Sequence, residues 1–199
     1  MYVMQMQLTV WDIIFAPNFG TEFNKVNSKV FYESGEHSAV LVDKKLYFLG
    51  GWSLEDKHYA SNQLFYLDVS KSFTTFDVSL MPWTDLHSIS GITYKTAATA
   101  CVCDTTIYYI GGSHYGRHVS KFDTISLQWS EPTTSGSIPP TYGRPGEQMK
   151  YVQCVILGHK IHIYGGFTSH KMNILDTSNL YWSAFSSTLG GCQSNSIHG

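Results

Sequence analysis

Nine histidines in a chain of 199 residues are the first place to look for chemistry. His114 and His118 stand four apart, a spacing that would put two imidazoles on one face of a helix as a metal pair. Here they follow a glycine pair and enter a β-type run, so that geometry is lost. His159 and His162 bracket a turn with no third ligand nearby, whereas a metal site needs three or four. Cys101, Cys103, Cys154 and Cys192 are too few and too unevenly placed for a disulfide scaffold. Cys101-x-Cys103 has no second close pair to complete a zinc site. Two readings of the thiols stay open: small buried side chains in strands, or a bond between neighbouring strands. A Gly-x-Ser-x-Gly elbow and the glycine-rich phosphate loops are both missing, and the glycines stand at strand ends rather than between a strand and a helix. The expectation is no catalytic residue, no metal site and no cofactor.

What remains is recognition. Trp52, His58 and Tyr59 follow one glycine pair, His114, Tyr115 and Arg117 a second, and Phe167 and His170 a third. Aromatic rings and arginine on loops of a rigid scaffold are favoured at protein interfaces, so these eight are the expected partner-binding residues. The plainer reading is that Trp52 and Phe167 cap the structure beneath them, because singly exposed aromatics are common.

The elements that would position these loops are three hexapeptides: Leu46-Tyr-Phe-Leu-Gly-Gly51, Ile107-Tyr-Tyr-Ile-Gly-Gly112 and Ile161-His-Ile-Tyr-Gly-Gly166. Each is an apolar, aromatic and β-branched run of the kind that suits a strand buried on both faces. The glycine pairs Gly50-Gly51, Gly111-Gly112 and Gly165-Gly166 let the backbone turn sharply or approach a neighbour closely. The copies lie 61 and then 54 residues apart, and a period near 50 is that of a propeller blade.

Around each copy the same order recurs. Residues 37–42, 98–103 and 152–157 read as first strands, and three-residue turns at 43–45, 104–106 and 158–160 join them to the glycine-pair strands as antiparallel hairpins. Third strands end on Asp68, Asp123 and Asp176, whose carboxylates can accept backbone hydrogen bonds in a turn. Trp129 and Trp182 stand six residues after their aspartates and open a fourth strand, where an indole is large enough to fill the space between twisted blades. The first copy has Thr74 at that offset, with Trp83 further on and an insertion over 71–80 that lengthens the corner. The fold class expected is all-β, an incomplete propeller of three four-stranded antiparallel blades at about 37–95, 96–150 and 151–190. An irregular segment over 1–36, with strands expected near 4–10 and 29–32, precedes them, and a tail over 191–199 follows.

Composition narrows the partners. Aromatics are 15% and charged residues 14%, so much of the chain expects burial. Formal charge is −2 and the longest basic run is Lys44-Lys45, which argues against a nucleic-acid partner. No segment approaches the roughly 18–20 continuous apolar residues of a membrane span. The first residues lack a basic stretch before an apolar core, so they do not read as a signal peptide, and the chain has no Asn-x-Ser/Thr sequon. Both features lean towards the cytoplasm.

Taken together, the apolar runs with Gly-Gly, the Leu-Asp or Phe-Asp turns, and Trp129 and Trp182 at fixed offsets resemble the kelch-repeat family over about 37–190. The stretch from His37 to Leu86 is similar to fungal kelch-repeat proteins, which are grouped by resemblance with the central propeller of galactose oxidase. The resemblance implies a ring of five to seven blades that works as a platform for protein partners. It also raises a second reading, a copper-radical oxidase fragment, which would need two tyrosine ligands, one crosslinked to a cysteine, and two histidines. No local motif in this sequence picks out that set, and a shared fold does not carry the activity across. A third reading is a partial chain without independent function. Three blades fall short of the smallest usual ring, so exposed blade edges and faces are expected to drive self-association or pairing with another propeller fragment.

Overall fold

The computed structural model describes residues 34–53, 63–73, 80–89, 91, 95–112, 118–139, 149–165 and 172–185. Fifteen short strands lie among them, and among the described residues there is no helix longer than a single turn. The expected strands near 4–10 and 29–32 lie outside the described residues.

Blade 1 is the sheet β2-β3-β5-β6, built from Ser38–Val42, Lys45–Leu49, Leu64–Asp68 and Trp83–Asp85. Blade 2 pairs β7 (Ala98–Cys103), β8 (Thr106–Gly111), β9 (Val119–Asp123) and β10 (Gln128–Ser130) in the same way. Blade 3 pairs β12 (Val152–Leu157), β13 (Lys160–Gly165), β14 (Met172–Asp176) and β15 (Tyr181–Phe185), all antiparallel. A fifth strand joins it: β11 (Ser135–Gly136), from the connection between blades 2 and 3, lies parallel to β15. It occupies the outer edge, where a row of unpaired backbone groups would otherwise face solvent. Two residues of β1 (Ser34–Gly35) pair with β4 (Trp52–Ser53).

The hairpins are tighter than the sequence suggests. Lys45, Thr106 and Lys160 already pair with Val42, Cys103 and Leu157, leaving two-residue turns rather than three. The first turn residue, Asp43, Asp104 or Gly158, takes a positive φ of 52°, 54° or 59°. Aspartate and glycine tolerate that conformation better than most residues.

The turn aspartates act as expected. Asp68 accepts from the Ser70 amide at 2.8 Å, Asp123 from those of Ile125 and Ser126 at 3.0 and 2.7 Å, and Asp176 from that of Ser178 at 3.0 Å. The hydroxyls of Ser70 and Ser178, with their amides, and the amide and hydroxyl of Ser126 hold the three carboxyls below their ordinary pKa.

Each sheet packs face to face on the next, with the first strands β2, β7 and β12 adjacent in sequence order. Val40, Val42, Tyr47 and Leu49 of blade 1 meet Ile107, Tyr109, Phe122 and Trp129 of blade 2. Cys101, Tyr108, Ile110 and Val119 on the other side of blade 2 meet Val152, Ile161, Leu175 and Trp182 of blade 3. Both faces of β8 are therefore buried, which is why its run carries no polar alternation. Trp182 is fully buried in the second interface, while Trp129 is half-buried in the first. Trp83 completes the series: it pairs with Leu67 as Trp129 pairs with Phe122 and Trp182 with Leu175. Those three partners each directly precede a turn aspartate, so the insertion displaces Trp83 in sequence without moving it in register.

A disulfide joins Cys101 of β7 to Cys154 of β12 across the second interface, with Cα atoms 6.3 Å apart. That decides between the two readings of these thiols, while Cys103 is free and half-buried. The propeller is not closed: among the described residues three sheets stack in order, and Val155, Leu157 and Tyr164 on the far face of blade 3 are exposed.

Candidate partner-binding surface

At one end of the stack the first strands begin and the second strands finish on their glycines, so the loops to the third strands leave from there. The glycine pairs fix this end. Gly51 N–H donates to Lys95 O at 3.0 Å and Gly112 N–H to Met149 O at 2.8 Å, each crossing to the backbone that leads into the next blade. Gly50 and Gly111 have φ of +64° and +74°, and a Cβ on either would overlap those same carbonyls, Lys95 O and Met149 O. The pair is there because a neighbouring backbone approaches. Among the described residues Gly165 has no such neighbour; the nearest of their atoms to its hypothetical Cβ is Tyr151 O at 3.8 Å.

A second set of bonds runs around the inner end. Ala97 N–H donates to Glu36 O at 3.0 Å, and Tyr151 N–H to Ala97 O at 2.9 Å. Glu36, Ala97 and Tyr151 occupy equivalent places before β2, β7 and β12, and all three have φ between 53° and 60°. Ser38 Oγ adds a bond to Ala98 O at 2.6 Å. Tyr151 Oη donates to the Glu36 carboxylate, tying blade 3 to blade 1 past blade 2 and raising the phenol pKa. Such repeated backbone contacts make the end a rigid base for loops.

Trp52 is placed here: its backbone pairs with Gly35 in the β1–β4 ribbon. His58, Tyr59, His114, Tyr115, Arg117, Phe167 and His170, and with them Gly166, lie outside the described residues. The structure neither gathers nor separates those seven side chains.

Beneath the loop end lies a buried polar group that sequence reasoning missed. The Lys95 side chain is 2% exposed. Its ammonium donates to Tyr109 O at 3.2 Å and sits 5.2 Å from the centre of the Tyr109 ring. Burial lowers its pKa to about 7, weakly opposed by Glu131. Tyr109 Oη donates to Lys95 O at 3.0 Å, and burial pushes that phenol up. His118 packs edge-on against Trp182, their rings 6.3 Å apart. Burial, with the nearby Lys95 charge, lowers its pKa to about 4, against a hydrogen bond to the Pro139 backbone. His118 is thus a neutral packed side chain at pH 7, and His114 lies outside the described residues. Lys95 left no signal in the sequence, because lysine type predicts exposure.

Comparison with known proteins agrees with this geometry. The model of the KLHDC2/KLHL20/DRC7 Kelch-repeats domain matches residues 25–198. The mouse Kelch domain-containing protein 1 is 26% identical over 167 residues, which cover 70% of this chain. The chain spans 38% of that relative's length.

Proposed function

The chain belongs to the kelch-repeat family, and from that premise we propose that it is a non-catalytic scaffold that binds a protein partner through the loops at the glycine end of its blades. One observation carries the reading: inter-blade backbone bonds from Gly51 and Gly112 hold successive loop bases in a fixed array. Rigid bases lower the entropy lost when loops engage a partner. Trp52, His58, Tyr59, His114, Tyr115, Arg117, Phe167 and His170 are the contact residues we propose on this array, and 37–95, 96–150 and 151–190 the units that bear them.

The test compares affinity capture by the wild-type chain with capture by Trp52→Ala/Arg117→Ala and by Ile125→Lys, a change on an exposed turn at the opposite end of blade 2. Proteins retained by the wild type and by Ile125→Lys but lost from the loop variant are the expected result. A retained set indifferent to the loop changes would refute it. Copper held at one per chain after dialysis, with peroxide release on galactose, would favour the oxidase reading instead.

A further inference from the structure

All three cysteines among the described residues fall on one junction, between blades 2 and 3. Cys101 and Cys103 stand two apart on β7, so both side chains leave the same face of that strand. Both pack in the cluster shared with blade 3. Cys101 is bonded there to Cys154 of β12, and Cys103 Sγ lies 3.9 Å from Thr177 Oγ1, also of blade 3. The junction between blades 1 and 2 has Val40, Val42 and Ala100 at the same three places. Packing at these positions therefore does not call for sulfur. A fixed cross-link uses two thiols; the third stands beside the bridge, where blade 1 has Val42.

Reach decides what the third thiol can do. Residues two apart on a strand have Cα atoms about 6.6 Å apart. The Cα atoms of Cys101 and Cys154 are 6.3 Å apart, and a disulfide spans up to about 6.8 Å. Cys101 is thus within bonding range of either partner, Cys154 across the junction or Cys103 along its own strand. We infer that the bridge isomerises: Cys103 displaces Cys154 from Cys101, so that blade 3 is covalently held in one state and released in the other. The step is thiol–disulfide exchange and consumes no oxidant or reductant. Cys103 loses its proton, for which the Asp104 carboxylate is an acceptor 4.0 Å away. Its sulfur bonds to Cys101 Sγ as the Cys101–Cys154 bond breaks. That bond's electron pair stays on Cys154 Sγ, which takes up a proton. In the released state β12 keeps the Tyr151 N–H to Ala97 O bond and the apolar cluster, without the covalent tie. This device does not depend on the partner reading above.

Trypsin makes the two states readable, because it cuts after Lys95, Arg117, Lys150 and Lys160. Cys101 and Cys103 leave on one peptide, 96–117, and Cys154 on another, 151–160. The full chain is equilibrated without reductant at about pH 8, close to the ordinary thiol pKa, so that thiolate is present for the exchange. It is then quenched in acid, unfolded, labelled with a maleimide and digested for mass spectrometry. The held state gives 96–117 cross-linked to 151–160, with the label on Cys103. The released state gives 96–117 closed on itself and 151–160 labelled at Cys154. It is expected in roughly 1–10% of chains, as for a minor conformational state, and at the same fraction on dilution. Cys103→Val, which installs the residue of blade 1, and Cys103→Ser should both abolish Cys154 labelling, with thermal midpoints showing that the fold is kept. Cys192→Ser should leave the labelling as it was. Cys154 unlabelled in every sample overturns the proposal. Labelling that survives both Cys103 variants, or that is lost in Cys192→Ser, overturns it too.

Discussion

Replacing Gly111 with alanine separates the two uses a glycine can have in this repeat. At φ +74° any Cβ carries a left-handed penalty of about 1–2 kcal/mol. The new Cβ would also overlap Met149 O, a backbone atom with no rotamer to escape into. Relief means moving blade 3's entry strand away and losing the 2.8 Å bond from Gly112 N–H to that carbonyl. A lost bond that leaves a buried group unsatisfied adds about 1–3 kcal/mol. Gly111→Ala should therefore cost about 2–5 kcal/mol in total. Gly165→Ala shares only the backbone penalty, since its nearest neighbour among the described residues is 3.8 Å away, and should cost about 1–2 kcal/mol. For a chain of this size the difference, about 1–3 kcal/mol, corresponds to about 2–12 °C in thermal midpoint. Urea unfolding followed by tryptophan fluorescence measures both variants under one set of conditions. Equal losses would refute the assignment of the glycine pair to inter-blade contact.

Other outcomes follow from the same packing. Trp182→Ala should cost about 3–5 kcal/mol because the indole is fully buried, and Trp129→Ala distinctly less because it is half-buried, as paired denaturation curves would show. Opening the Cys101–Cys154 bridge, which spans 53 residues, should lower stability by about 2–4 kcal/mol, read from denaturation with and without a phosphine reductant, and the Cys101→Ser/Cys154→Ser variant should ignore the reductant. Lys95 and His118 both have folded pKa values below their unfolded ones, so the unfolded chain binds more protons from about pH 4 to 6.5 through His118 and from about pH 7 to 10 through Lys95. Stability should rise with pH across both windows, and Lys95→Met should flatten the upper one in urea midpoints taken against pH.

How far the sequence could be read depended on whether the signal was local. Hairpins, glycine pairs and turn aspartates depend on residues a few positions apart, and β2–β3, β7–β8 and β12–β13 form where the repeat puts them. The tryptophan at the end of blade 1 was obscured because an insertion shifts Trp83 along the chain while the Leu67–Trp83 register stays in line with the other blades. The Cys101–Cys154 pairing depends on how β7 stacks beside β12, which spacing alone does not encode. Ser135–Gly136 reads as a loop because its strand character comes only from the open edge of β15. On the outer face of blade 1, Phe48 and Leu67 pack with Met81, Val69 and Phe73 while Leu41 stays exposed, a local arrangement that strand patterning does not encode. Of the eight recognition residues, only the Trp52 backbone falls within the described structure.

Amide hydrogen exchange on the isolated chain tests the stacked-blade account most directly. The amides of Tyr108, Tyr109 and Ile110, covered on both faces, should exchange most slowly, and those of Gly51 and Gly112 should be protected despite standing at strand ends, because each donates to the next blade. If Gly51 and Gly112 exchange as fast as unbonded backbone while β8 stays protected, the blades fold but do not stack as described, and the fixed array of loop bases is lost with that stacking.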